Sequence, residues 1–184
     1  MKLNFTIAFL AMAMCISCAK KDNSFLIEKG KIGNLLKTTN TNELETIFAA
    51  DSIVKDEAEG TYSYASKNRF LIYDTTGKHL LTLTPTKVDS TEVIENIRVF
   101  DERYQTAKGL SVKSTFKVIR DNYKISRITN SLNNILVFVD EIDAYFVIDK
   151  NELPESLRHD SSSRIEEVQI PDGAKIKYFM LGWQ

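Results

Sequence analysis

Both cysteines of the chain, Cys15 and Cys18, sit in one N-terminal stretch, AMAMCISCAKK, and no thiol follows Cys18. The residues after it can form no disulfide, so their fold must stand on packing alone. Composition permits this. In 184 residues, 43% are hydrophobic and 27% charged, which suits one domain with a self-sufficient core. The formal net charge of -1 supplies no concentrated basic face. It argues against nucleic acid as a partner, and against charge-driven adhesion to an anionic membrane.

Met1 and Lys2 make a basic start to the uncharged run LNFTIAFLAMAM, which Lys20, Lys21 and Asp22 end abruptly. The run is shorter than the roughly 20 apolar residues of a spanning helix and has the n-region and h-region of a secretory signal. Small Ser17 stands directly before Cys18, and the pattern resembles the bacterial lipobox. Ile16 and Ser17 fit it, whereas Cys15 stands where leucine is usual. The lipobox implies cleavage between Ser17 and Cys18, loss of Cys15, and lipidation of Cys18. Two or more acyl chains anchor stably, at about 0.8 kcal/mol per buried CH₂. An ordinary cleaved signal is the rival reading. A redox Cys-x-x-Cys should open a helix in a βαβ setting. A zinc pair would have only His79, His159 and distant carboxylates as further ligands. The expected organisation is a signal peptide over 1–17, a lipidated tether over 18–24 and a single α+β domain over 25–184.

TNTNELETIFAAD reads as a helix capped by Asn40, with Glu43 completing a capping box and Leu44, Ile47 and Phe48 on one face. SIVK reads as a short strand. RFLIYDTTGKHLLTLTP reads as a hairpin turning at Asp74-Thr75-Thr76-Gly77 and closed by Pro85. TEVIENIRVF is a strand with Ile97 and Val99 on one face. STFKVIRDNY is a second helix, capped by Ser114, with Phe116, Ile119 and Tyr123 on one stripe. NILVFVDEIDAYFVID holds two near-continuous apolar runs around an acidic turn, the pattern of a central hairpin buried on both faces. NELPESLR reads as a turn or two of helix, and RIEEVQI and AKIKYFMLGW as closing strands.

Gly33 followed by Thr38 and Thr39 is echoed by Gly109 followed by Ser114 and Thr115, each ahead of a helix, a strand and a hairpin. The echo is either a duplicated helix-plus-three-strand unit or a coincidence of helix-cap grammar. Either way, the order of elements predicts an α+β fold: an antiparallel sheet with two to three short helices on one face.

Candidate chemistry is sparse. In RHDSSS, the Ser, His and Asp are sequence neighbours, and a triad needs them from separated segments. Asp140, Glu141 and Asp143 crowd a turn too tight to give calcium its six to eight oxygens. Asp51, Asp56, Glu57 and Glu59 read as a solvated loop, His79 as structural, and Trp183 as a core plug. No catalytic residue, metal ligand or cofactor is expected. The most distinctive stretch is DERYQTAKGLSVKSTF. There Arg103, Tyr104, Thr106 and Lys108 set a cation, an aromatic and a hydroxyl ahead of a helix start, which attracts anions. They form the candidate binding surface. The alternative is a structural loop in which Tyr104 packs down, Gly109 turns the backbone and Ser114 caps the helix.

KIGNLLKTT, RYQTAKGLSVKSTF, ILVFVDEIDAYF and IPDGAKIKYFMLGW behind the lipobox together resemble an uncharacterised family of bacterial envelope lipoproteins. More distantly, the chain is similar to the envelope-stress-regulated lipoproteins, through Gly33, Thr38, Thr106 and Gly109. The resemblance implies a membrane-anchored lipoprotein of the outer membrane, facing the periplasm or the surface, and carries over no catalytic residue. The expected function is a lipid-anchored, non-enzymatic binding or assembly and stress accessory domain with a protein partner in the envelope. The alternatives are a hydrolase-type enzyme using carboxylates and a protein inhibitor. Carboxylates converging in a deep pocket would favour the enzyme; a flat exposed aromatic patch would favour binding.

Overall fold

The computed structural model describes residues 23–56, 68–158 and 164–183. The leader, Cys15, Ser17 and Cys18, the loop residues Glu57, Glu59 and Gly60, and His159 with its serines lie outside them.

Two sheets organise the chain. A small one has the order β3-β2-β1-β8 and is built from β1 (Leu26–Glu28), β2 (Lys31–Ile32), β3 (Leu35–Leu36) and β8 (Gln105–Thr106). Its β1–β8 pair is parallel. The large sheet comprises β4 (Ser52–Asp56), β5 (Arg69–Tyr73), β6 (His79–Val88), β7 (Thr91–Val99), β9 (Arg127–Asn130), β10 (Asn134–Val139), β11 (Ala144–Asp149) and β12 (Ile176–Gly182). Its order is β4-β5-β6-β7-β12-β11-β10-β9, antiparallel throughout. Two four-strand meanders thus meet where β7 pairs with β12. The helices are short: α1 (Leu44–Ile47), α2 (Phe116–Asn122) and α3 (Glu155–Arg158).

The α+β expectation does not hold. Of the described residues, 44% are strand and 19% helix, so the fold is mostly β, with two sheets rather than one sheet under several helices. Each half of the large sheet carries four strands, not the three of the expected repeated unit. The helical signals were real but local. Asn40 donates its backbone N–H to Glu43 Oε1 at 3.0 Å, as a capping box requires. The segment then makes only a 3-10 turn over Thr41–Glu43 and the single turn of α1. A helix this short has no stability of its own and exists through what it packs on. Phe116, Ile119 and Tyr123 are buried on one stripe of α2.

Three other expectations change. Pro85 does not close its hairpin; β6 runs on to Val88, with a register shift between Thr84 and Pro85. A bulge is where a strand tolerates a residue lacking the N–H. RIEEVQI is not a strand; it holds a 3-10 turn at Glu167–Gln169 between buried Ile165 and Ile170. The β10–β11 hairpin is not central either, because β10 lies one strand from the β9 edge and the middle pair is β7 with β12.

Strand alternation gives the sheet two faces. One row of paired residues crosses all eight strands: Ile53, Ile72, Leu81, Val99, Phe179, Phe146, Val137 and Ile128. All eight belong to the core or pack against it. The same core takes Leu44 of α1, Phe116 and Ile119 of α2, Leu157 of α3, and Ile27, Ile32 and Leu35 of the small sheet. Every helix and the small sheet therefore lie on this one face. Trp183, just past β12, is buried here as well, and its backbone N–H donates to the Glu95 carbonyl at 2.7 Å.

Candidate functional site

The expected binding loop is brought together as a structural clamp. Arg103 donates to Asp101 Oδ2 from Nε at 3.1 Å and from Nη2 at 2.7 Å, and to Asp74 Oδ2 at 2.7 Å. Its guanidinium lies 4.7 Å over the Phe25 ring. Tyr104 is buried edge-on against Phe25, at 5.0 Å between centroids. Buried Thr106 accepts the Tyr123 hydroxyl at 2.6 Å and the Leu110 N–H at 3.2 Å. Lys108 Nζ donates to the Asn122 carbonyl at the end of α2 and lies 4.3 Å over the Tyr123 ring. The start of α2 is occupied too. Thr115 takes the cap position without a side-chain bond, and the N–H groups of Phe116 and Lys117 donate to the Ala174 and Asp172 carbonyls. Ser114 instead accepts from the Ser111 N–H.

Beside this loop is a cleft of about 420 Å³ lined by Phe25, Phe48, Asp51, Asp74, Arg103 and Tyr104, among others. Its carboxylates are mostly committed. Asp74 Oδ1 accepts from Thr76 N–H, Thr76 Oγ1 and Lys78 N–H, which fixes the hairpin turn before Gly77. The Thr76 hydroxyl first, then Arg103, hold its pKa well below the usual carboxylate range. Asp51 is pushed up, first by burial and then by the Asp74 charge.

Behind the cleft, Asp101 has a fully buried side chain. Burial alone would raise its pKa. The Arg103 guanidinium, the Arg103 N–H and Lys78 overcome that and hold it at about 2. The folded value lies below the unfolded 3.8, so the stabilisation is present in full above pH 3.8 and is lost as pH falls through about 2. It amounts to roughly 2 kcal/mol. Urea titrations across this window should show stability falling with acid, and Asp101→Asn should flatten that slope.

The acidic turn Asp140–Ile142 is likewise engaged. Ser126 Oγ donates to Asp140 Oδ1, the Lys124 N–H to Glu141 Oε1, and Lys29 Nζ to the Asp140 carbonyl. Asp56 pairs with Arg69. Among the described residues, no cluster of three or more His, Cys, Asp or Glu could hold a metal ion. No described helix is long and apolar enough to cross a membrane.

The feature that the motif search missed is the other face of the large sheet. A second row runs straight across all eight strands: Val54, Leu71, Thr82, Arg98, Met180, Tyr145, Phe138 and Arg127. None of the eight joins the core cluster. Beside the row, Val147 and Leu136 pair, and Tyr178 pairs with Val147. The side chains stack laterally. His79 lies between Tyr73 and Phe100, at 4.8 and 3.9 Å. Arg98 sits 4.5 Å over Phe100 and 3.8 Å over Tyr178. Arg127 sits 4.0 Å over Phe138, whose ring stacks on Tyr145 at 5.5 Å. Burial chiefly, with the Arg98 charge, pushes the His79 pKa down against the opposing Leu81 carbonyl contact, and its Nε2 lies 3.1 Å from both the Leu81 carbonyl and Thr82 Oγ1. At one end of the face, Lys29, Asn96, Arg127, Phe138, Asp143 and Tyr145 border a recess of about 580 Å³.

Two signals pointed to this face. Arg98 lies between Ile97 and Val99, out of phase with the core, and the apolar runs of β10 and β11 left no polar face. Those runs are apolar on both sides because the outer side carries apolar side chains of its own, outside the core cluster.

No family model matches the chain, and no curated protein matches it. Among solved structures, it is similar to the crystal structure of the uncharacterized protein yfeY from Escherichia coli. The TM-score is 0.54 over 85% of this chain and 99% of that one, at 11% identity. At that identity the likeness is one of fold alone.

Proposed function

We propose that this chain is a lipid-anchored, non-enzymatic accessory domain of the bacterial envelope that holds another envelope component on the open face of its large sheet. The observation that carries the reading is the aromatic and arginine-bearing outer row, none of whose residues joins the core cluster. Aromatic residues beside arginine are the composition enriched at protein interfaces. The leader with Ser17 before Cys18 supports the anchor, and the net charge of -1 agrees with a specific partner rather than general charge-driven adhesion.

A carboxylate enzyme at the cleft is the second reading, favoured by the opposed acidities of Asp51 and Asp74. Against it, Asp74 spends both oxygens on its own turn and on Arg103. In cells, Cys18→Ala should move the protein from membrane to soluble fractions, while Cys15→Ala leaves it bound. A photo-crosslinking residue at Val54, or at Thr129, which pairs with Leu136 beside the outer row, should then capture a discrete partner, and one at exposed Val168 should not. Equal capture from all three positions would sink the binding-face reading. Membrane retention of the Cys18 variant would sink the anchor.

A further inference from the structure

We infer that the occupant of the open sheet face is an acidic, extended segment of a partner polypeptide, held by Arg98 and Arg127 at its two ends. The inference rests on the binding-face reading above and gives it a chemistry.

The two guanidiniums share the cross-strand row. Met180, Tyr145 and Phe138 are the residues between them. Four inter-strand steps separate the arginines, or about 19 Å. Among the described residues, neither guanidinium is paired with a carboxylate; each lies over aromatic rings instead. A ring under a guanidinium does not use up its five N–H groups, so both retain donors suited to a carboxylate. Phe138 has Arg127 on one side and Tyr145 on the other along the row. The ring faces are thereby turned to one another and their positive edges outward. The strip thus presents donors at two points and largely apolar side chains between them; Asp140 and Asp143 border the recess beside Arg127, where Lys29 pairs with Asp143. Its complement is a carboxylate at each end of an apolar stretch.

An extended chain covers about 19 Å in roughly six residues, with alternate side chains facing the sheet. The matching segment has acidic side chains at its first and seventh positions and apolar ones at the third and fifth. A second copy of this face would set arginines against arginines. An anionic bilayer gains only about fivefold from each basic residue near it. Two arginines are too few to hold one.

The test uses the full chain in neutral detergent micelles and labelled seven-residue peptides, with binding read by fluorescence anisotropy. A peptide with glutamate at both ends and apolar third and fifth residues should bind saturably. Arg98→Gln and Arg127→Gln should each weaken it by about tenfold or more. Arg127→Lys should fall between, because it keeps the charge and loses the fork. Lys113→Gln, on an exposed loop, should bind like the parent, and melting curves would confirm that each variant is folded. Equal binding of a peptide with lysine at both ends, or unchanged affinity in the arginine variants, would overturn the inference. So would displacement of the peptide by phosphatidylglycerol in the micelles. If the peptides fail while crosslinks from Thr129 and Val54 persist in cells, the acidic partner is wrong and the binding face stands.

Discussion

Phe179→Ala should lower stability by about 4 kcal/mol, whereas Met180→Ala, one residue on in the same strand, should cost about 1 kcal/mol or less. Phe179 is fully buried at the middle of the large sheet and packs on Phe146 with centroids 4.7 Å apart. It pairs with Val99 on one side and Phe146 on the other, so truncation opens a cavity among residues fixed by two ladders. In a chain of this size the loss corresponds to a melting point lower by roughly 10 °C. Met180 projects to the opposite face between Arg98 and Tyr145. There it is half-buried and outside the core, and solvent can fill the space it leaves. Melting curves of the two variants measure the two-faced sheet directly. Similar losses would mean that the outer face is also packed interior.

Gly33→Ala should cost about 3 kcal/mol, against 1–2 kcal/mol for Gly109→Ala. Both glycines have left-handed backbones, at φ +56° and +75°, where an L side chain is disfavoured by about 1–2 kcal/mol. Their surroundings differ. A Cβ at Gly33 would stand 2.3 Å from the Ser24 carbonyl oxygen, in the turn that lets the Gly33 N–H donate to the Leu26 carbonyl. That neighbour is backbone, so it cannot swing aside. A Cβ at Gly109 would meet no atom beyond its chain neighbours within 4 Å, and only the conformational cost remains. Denaturant titrations of the pair would separate the two contributions. Equal losses would show that the close approach at Gly33 relaxes without cost.

Local grammar was legible where one segment carried its own instruction. The Asp74 turn, the stripe of Phe116, Ile119 and Tyr123, the phase of Ile97 and Val99, and β12 could all be read from spacing. What failed depended on partners distant in sequence. The seven residues of α2 look helical in isolation, but nothing local says that the flanking strands will outnumber it. Pro85 reads as a stop until β7 supplies a bulge to hold it. Isoleucines at 165 and 170 suggest a strand, yet both reach the core from a single tight turn. The proposed binding face was the hardest to read. Arg103, Tyr104, Thr106 and Lys108 form a conspicuous cluster in sequence, and each is occupied within the fold. Arg98 and Arg127 are inconspicuous, and only the pairing of β7 with β12, and of β9 with β10, sets them in one row.

Oxidative footprinting of the outer face tests the central claim most directly, comparing purified protein with intact cell envelopes. Met180, Tyr145 and Tyr178 should be modified in the purified chain and protected in envelopes, whereas exposed Leu36 and Val168 react alike in both. Equal reactivity of Met180 and both tyrosines in the two preparations would contradict an occupied sheet face.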